Sequence, residues 1–262
     1  MSIEKLTQYL RELGPGLCVA FSGGVDSALL LALACKTVEN VHAVTLFTPF
    51  HSPREPQEAA EAAQELGAAH QIIRLEELPP EVLCNPVDRC YLCKGWVFRS
   101  LWEYAKEQGL AYVLDGTNAD DLQQYRPGLR ALAELKVKSP LAELGITKAQ
   151  VREMAAQLGL AVASKPSAPC LATRFPYGAT LEPQRLAAVD KLENQIRSLG
   201  FAVIRVRIHG DVARLELPAD QLADFLPHRE TVTRWVKEAG YDYVTLDLEG
   251  FRSGSMDIHI RK

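Results

Sequence analysis

Apolar positions in the first half of the chain follow two spacings that take turns. Ile3, Leu6, Tyr9, Leu10 and Leu13 recur every three or four residues, which predicts an amphipathic helix. The unbroken run Leu17–Phe21 predicts a buried strand, and Ala28–Ala34 predicts a helix close behind it. Residues 41–47 read as a second strand. Residues 54–66 read as a helix stopped at Leu66-Gly67, and His70–Leu75 as a third strand. A helix over 96–108 and a strand over Ala111–Asp115 follow. Strands alternating with helices predict an α/β fold, a parallel sheet covered on both faces. Ligands of such sheets bind beyond the carboxyl ends of the strands. Ser22–Ser27, Thr48 and the run Asp115–Asp121 all fall at such ends.

The pattern changes near residue 176. Residues 184–199 predict one helix. Phe201–Ile208 then alternates strictly, a His209-Gly210-Asp211 turn follows, and Val212–Leu217 returns, which is a hairpin signal. A helix over about 228–239 and a strand over Tyr241–Leu248 complete a small α+β unit. The expected division is therefore 1–176 and 177–262, with the break at Pro176-Tyr177-Gly178. No internal repeat is visible.

The chain has 262 residues, 47% hydrophobic and 24% charged, an ordinary globular mixture. No apolar stretch approaches the ~20 residues needed to span a bilayer. The N-terminus lacks a signal-peptide core, so the cytoplasm is the expected location. A net charge of −4 argues against a nucleic-acid partner, because no global basic field draws a polyanion.

Ser22-Gly-Gly-Val-Asp-Ser27 joins a strand to a helix. Its glycines let backbone N–H groups approach an anion. The helix start adds its dipole and unpaired amides. Ser22 and Ser27 add hydroxyls, and the whole suits a pyrophosphate. Asp26 would repel phosphate unless it holds a bridging Mg2+ ion. An ordinary turn with Asp26 and Ser27 near the cap is the competing reading. No Walker P-loop occurs, and the loop carries no lysine. In Asp115-Gly-Thr-Asn-Ala-Asp-Asp121, Gly116 permits close approach, Thr117 and Asn118 offer hydrogen bonds, and Asp120 and Asp121 offer carboxylates. A helix cap with acids in its first turn would explain the acids alone.

Six cysteines without a secretory signal do not suggest a disulfide framework. Cys18 and Cys35 read as core. Cys84, Cys90 and Cys93 cluster, and Cys170 stands in an irregular segment near Arg174, where positive charge favours a thiolate. Cys90-x-x-Cys93 is open to four readings: zinc, a redox pair, an iron–sulfur cluster completed by Cys170, or unligated thiols. Arg205 and Arg207 share a strand face by the period of two, and Arg214 can join them across the hairpin. Three guanidiniums on one face match a ligand bearing carboxylates and a phosphate. A solvated outer face is the alternative.

The Ser-Gly-Gly-x-Asp-Ser run resembles the PP-loop of the ATP pyrophosphatase superfamily, which splits ATP into AMP and pyrophosphate and activates a substrate oxygen as its adenylate. Further motifs sharpen the likeness: Asp88-Arg-Cys-Tyr-Leu-Cys-Lys94, Asp115–Asp121, Arg126-Pro-Gly-Leu-Arg130, Cys170-Leu-Ala-Thr-Arg-Phe-Pro-Tyr-Gly178, Arg205-Val-Arg-Ile-His-Gly210 and Gly250-Phe-Arg-Ser-Gly254. Together they resemble the LarE family, sulfur transferases of nickel-pincer nucleotide cofactor synthesis. The resemblance implies a PP-loop domain over 1–176 and a substrate-binding or oligomerisation domain over 177–262. It implies ATP held by Ser22, Gly23, Gly24, Val25, Asp26, Ser27, Thr48, Gly116, Thr117 and Arg174. It further implies Mg2+ on Asp26 and Asp121, and the anionic nucleotide substrate on Arg205, Arg207 and Arg214. The substrate implied is pyridinium-3,5-biscarboxylic acid mononucleotide, converted to a thiocarboxylate. Sulfur comes either from sacrificial Cys170 or from sulfide on a [4Fe-4S] cluster held by Cys90, Cys93 and Cys170. A homo-oligomer of hexameric size is implied as well. A tRNA thiolase using the same cysteines is the rival; it would need a basic surface.

Overall fold

The computed structural model describes residues 3–164 and 169–252; Ser253 and Gly254 of the terminal motif lie outside these residues. The elements begin α1 (Ile3–Leu13), β1 (Leu17–Ala20), α2 (Val25–Thr37), β2 (Val41–Phe47), α3 (Glu55–Glu65) and β3 (Ala69–Arg74). They continue through α4 (Pro80–Leu83), α5 (Arg89–Glu107), β4 (Tyr112–Leu114), α6 (Gly128–Glu134), α7 (Pro140–Glu143) and α8 (Lys148–Gln157). The last are α9 (Pro183–Arg197), β5 (Arg205–His209), β6 (Val212–Glu216), α10 (Leu222–Phe225), α11 (Arg229–Glu238) and β7 (Tyr243–Leu246).

The chain divides into two compact units. The first takes the chain up to Thr48, Pro53–Leu78, and Asp88 onward to Ala168. The second takes Pro49–Ser52, Pro79–Val87, and the chain from Pro169. The sequence places the break at Pro176–Gly178; the structure places it a few residues earlier and returns two short segments to the second unit. Those segments are held by backbone bonds that sequence spacing does not reveal. Leu171 N donates to Phe50 O at 2.9 Å, Gly178 N to Asn85 O at 2.9 Å, and Leu181 N to Leu83 O at 2.8 Å.

The first unit is built on a four-stranded sheet ordered β3-β2-β1-β4, parallel throughout. Helices cover both of its faces, as the alternation predicts. Leu6 and Leu10 of α1, Leu29–Leu31 of α2, and Val151 and Met154 of α8 pack with Leu17 and Val19 on one side. Phe98, Leu101 and Ala105 of α5 pack with Cys18, Val44 and Val113 on the other. Leu17, Cys18 and Val19 have no solvent exposure, which explains why β1 reads as a continuous apolar run rather than an alternation. Truncating a fully buried leucine such as Leu30 to Ala would cost about 2–5 kcal/mol.

The second unit holds a three-stranded sheet, β5-β6-β7, with β5 antiparallel and β7 parallel to β6. Leu186, Val189, Leu192 and Ile196 of α9 are buried in this unit, as are Val232 and Val236 of α11. Two predicted boundaries move. β5 starts at Arg205 rather than at 201, because Phe201 packs edge-on against Phe225 at 5.1 Å instead of joining the ladder. α5 starts at Arg89 rather than 96, so Cys90 and Cys93 sit in its first turns.

Candidate active site

The Ser22–Ser27 loop leaves β1 and opens α2, as read from the sequence. Gly23 has a φ of +67°, a left-handed conformation that glycine adopts without strain. Gly24 is the N-cap of α2 and makes no side-chain cap bond, an arrangement that suits the start of a helix to an anion. The two serines shape the turn. Ser27 Oγ donates to Gly24 O at 3.1 Å and accepts from Ser22 N at 3.3 Å, and the two hydroxyls lie 3.3 Å apart. Val25 and Ser27 are buried. Thr48, just past β2, is 1% exposed.

The second motif meets the first. A Cβ on Gly116 would lie 3.0 Å from Ser27 N and 3.1 Å from Asp26 Cβ, so only glycine lets the chain pass this close. Asn118 Nδ2 donates to Asp26 Oδ1 at 3.1 Å, while Asn118 N donates to Asp121 Oδ2 at 3.0 Å. One asparagine thus ties Asp26 to Asp121. Capping is also present, since Asn118 and Asp121 form a reciprocal capping box over residues 119–123. The cap and the contact with the loop coexist; the same asparagine supplies both.

The cations of this cluster have no role in the sequence reading, and Lys148 lies outside every motif quoted there. Lys148 Nζ contacts Asp26 Oδ2. Arg126 pairs with Asp121 at 2.9 Å. Lys94 lies 3.6 Å from Asp115, whose carboxylate also accepts from Thr117 Oγ1 at 2.5 Å and Ser139 Oγ at 2.6 Å. Thr117, expected beside the nucleotide, is therefore spent in part on fixing the end of β4. A capping box at Thr147–Gln150 was the available signal for the start of α8, but nothing in the sequence joins Lys148 to Asp26 across 122 positions.

Cys90 and Cys93 stand three residues apart on α5, a spacing that puts both on one side of the helix. Cys90 is exposed and Cys93 half-buried; Cys170 in the second unit is also half-buried. Cys90 Sγ accepts from Arg89 at 3.6 Å. Among the described residues, no three His, Cys, Asp or Glu side chains are grouped to hold a metal ion.

The arginines depart most from expectation. Arg174, assigned to ATP, is 3% exposed and fully engaged. Nε and Nη2 bind both oxygens of Glu193 at 2.9 and 3.0 Å, and Nη1 donates to Pro169 O, Cys170 O and Thr173 Oγ1. It clamps the loop that carries Cys170. Arg205 and Arg207 are 8% and 5% exposed, which removes the solvated-face alternative. The counter-anion their crowding demands comes from the same sheet. Arg207 Nε lies 3.2 Å from both oxygens of Glu216, Arg214 Nη2 lies 2.9 Å from Glu216, and Arg214 Nε lies 3.5 Å from Asp247. Arg214 keeps a 31% exposed side chain. Burial pulls Arg205 down to about 10, helped by the charge of Arg174. Burial alone would raise the Glu193 carboxyl. The hydrogen bond and charge of Arg174, with the Val206 amide and the Arg205 charge, outweigh it and hold Glu193 below its ordinary range.

Residues 2–82 match the NAD synthase family model. An uncharacterized protein of Synechocystis sp. is 40% identical over 97% of this chain and 96% of its own length. The pyridinium-3,5-bisthiocarboxylic acid mononucleotide synthase of Lactiplantibacillus plantarum is 40% identical over 93% of this chain and 90% of its own length. The chain belongs to the family of that synthase. It is therefore an ATP-dependent sulfurtransferase of the PP-loop type, and the α/β sheet with its Ser22–Ser27 loop is the fold that membership requires. A tRNA-specific 2-thiouridylase of Trichlorobacter lovleyi is 30% identical, but over 66% of this chain and 58% of its own length. No helix among the described residues is long and apolar enough to cross a membrane.

Proposed function

We propose that this chain uses ATP to adenylate a carboxylate of pyridinium-3,5-biscarboxylic acid mononucleotide and converts it to a thiocarboxylate, releasing pyrophosphate and AMP. The observation that carries the reading is the 40% identity to the Lactiplantibacillus synthase across 93% of the chain, joined to a loop shaped for pyrophosphate. The substrate carboxylate oxygen attacks the α-phosphorus of ATP, and pyrophosphate leaves toward the α2 amides and the Ser22 and Ser27 hydroxyls. A sulfur nucleophile then attacks the acyl carbon and AMP departs. Asp26, with Asp121 close by through Asn118, supplies hard oxygen donors of the kind Mg2+ prefers. Bound there, the ion would neutralise phosphate charge. Arg214, the most open of the three sheet arginines, is the one best placed to meet an anionic substrate.

Cys90, Cys93 and Cys170 are the residues that would hold a [4Fe-4S] cluster, whose fourth iron, when bound, supplies a site for sulfide. Two of these thiols share one side of α5, but among the described residues no three such ligands are grouped, so the cluster reading rests on the family resemblance and not on the geometry. The rival sulfur source is Cys170 itself. Its thiolate would form a thioester, and loss of its α-proton with cleavage of Cβ–Sγ would leave dehydroalanine and free the thiocarboxylate. We favour the cluster. Intact-mass spectra after anaerobic turnover of iron-loaded protein decide the source: an unchanged Cys170 supports the cluster, and dehydroalanine at Cys170 overturns it. The function is tested by AMP formation that depends on the mononucleotide. AMP formation that depends instead on tRNA would favour the thiouridylase chemistry, which has only the partial match.

A further inference from the structure

Lys148 lies outside every motif that defines the loop, at the opening residue of α8, yet its ammonium contacts the Asp26 carboxylate. We infer that Lys148 is an exchangeable cation. It neutralises Asp26 when no nucleotide is bound, and it passes to the pyrophosphate moiety of ATP when a divalent ion takes Asp26. The inference rests on the reading of Ser22–Ser27 as the ATP pyrophosphate site.

Both oxygens of Asp26 are engaged, one by Lys148 and the other by the Asn118 amide at 3.1 Å. A divalent ion and an ammonium held by one carboxylate repel each other, so a metal on Asp26 favours release of Lys148. The ammonium has somewhere to go. The pair is open to water, with side chains 30% and 20% exposed, so parting it strands neither charge in a dry interior. The backbone beneath Lys148 need not move. Thr147 Oγ1 accepts from Gln150 N at 3.4 Å, Thr147 N donates to Gln150 Oε1 at 3.0 Å, and Lys148 N donates to Asp120 Oδ2 at 2.9 Å. Only the flexible four-carbon stem swings. The phosphates also lack a cation of the loop's own, since Ser22–Ser27 contains neither lysine nor arginine. Arg126 is committed to Asp121, and Lys94 faces Asp115.

The test uses two probes on the full chain: inorganic pyrophosphate with Mg2+, followed by calorimetry, and Mn2+ without nucleotide, followed by electron paramagnetic resonance. In Lys148→Met, pyrophosphate affinity falls about tenfold or more, as for loss of one charged hydrogen bond, while Mn2+ affinity rises. Lys148→Arg restores pyrophosphate binding. Opposite shifts of the two affinities are what a structural strut would not produce. Unchanged pyrophosphate affinity in Lys148→Met, or a parallel loss of both affinities, overturns the inference. If Lys148→Met does not fold, Lys148→Gln takes its place with the same expected signs. A wild-type chain that binds no pyrophosphate would overturn the reading of the loop itself, and is distinguished from either variant outcome by being seen before any substitution.

Discussion

Asp26 in the first unit and Glu193 in the second each face a cation, but Asp26 keeps 20% of its side chain in water and Glu193 keeps 1%. Asp26 has one lysine and one amide as partners. Glu193 takes both forks of Arg174, a third bond from Arg197 at 2.9 Å and the Val206 amide at 3.0 Å. The same chemistry thus serves two ends. A half-exposed pair contributes about 0–1 kcal/mol and can trade its partner for a ligand. A buried, multiply bonded pair is costly to break, because removing one partner leaves an uncompensated buried charge. Exposure, not residue type, separates a charge that can trade its partner from those that hold the loop of Cys170.

The largest effect should come from the buried side. Glu193→Gln leaves Arg174 without its counter-charge and is expected to lower stability by about 3–5 kcal/mol. Chemical denaturation measures it, and a loss under 1 kcal/mol would break the comparison. Asp26→Asn should do the reverse. Its stability stays within about 1 kcal/mol of the wild type, as for other exposed pairs. AMP formation falls about 100- to 1000-fold, the usual loss when a charge-stabilising group leaves a reacting centre. Wild-type AMP production by that variant would remove Asp26 from the chemistry. A milder change is Gly116→Ala. The new methyl meets Ser27 N and Asp26 Cβ near 3 Å, overpacking of the kind that costs about 1–3 kcal/mol. ATP affinity is expected to drop while affinity for the second substrate holds.

Acid sharpens the same contrast with the smallest effect. Burial lowers the pKa of His70 in the first unit, where its Nε2 lies 2.8 Å from Thr45 Oγ1. The unfolded chain therefore takes the proton first, and stability declines as pH falls below about 6.5. Glu193 is depressed, so its contribution is full above its unfolded value of about 4.3 and disappears as pH falls through the folded one. His70→Gln should flatten the upper part of the acid profile and leave the lower part unchanged. A profile insensitive to that substitution would contradict the assignment.

Much of the fold was legible. The apolar run of β1, the strand over 41–47 and the alternation ending in His209-Gly210-Asp211 all report burial directly. The loop and Gly116 were legible because each needs a residue type that few other environments demand. The start of α5 was not, since Arg89–Lys94 mixes charge and cysteine without a helical apolar period. The arginine cluster was half legible. Period two put Arg205 and Arg207 on one face, and the same turn register sets Glu216 opposite Arg205. Following the register two pairs beyond Arg207 and Arg214 would have found the internal counter-ion. Lys148 and Arg174 were illegible for a different reason. Their partners are fixed by tertiary packing, and a charge gives no periodic signal of where it points.

We place at the half-exposed Asp26 cluster the adenylation of a small carboxylate that sulfur then captures. The most direct test incubates the full chain anaerobically with ATP, Mg2+ and pyridinium-3,5-biscarboxylic acid mononucleotide, and follows AMP and the mass of the mononucleotide together. AMP is expected in step with a product in which one carboxylate oxygen is replaced by sulfur, and both are lost in Asp26→Asn. AMP formation without a sulfur-bearing product, or a sulfur-bearing product from Asp26→Asn at the wild-type rate, would contradict that placement.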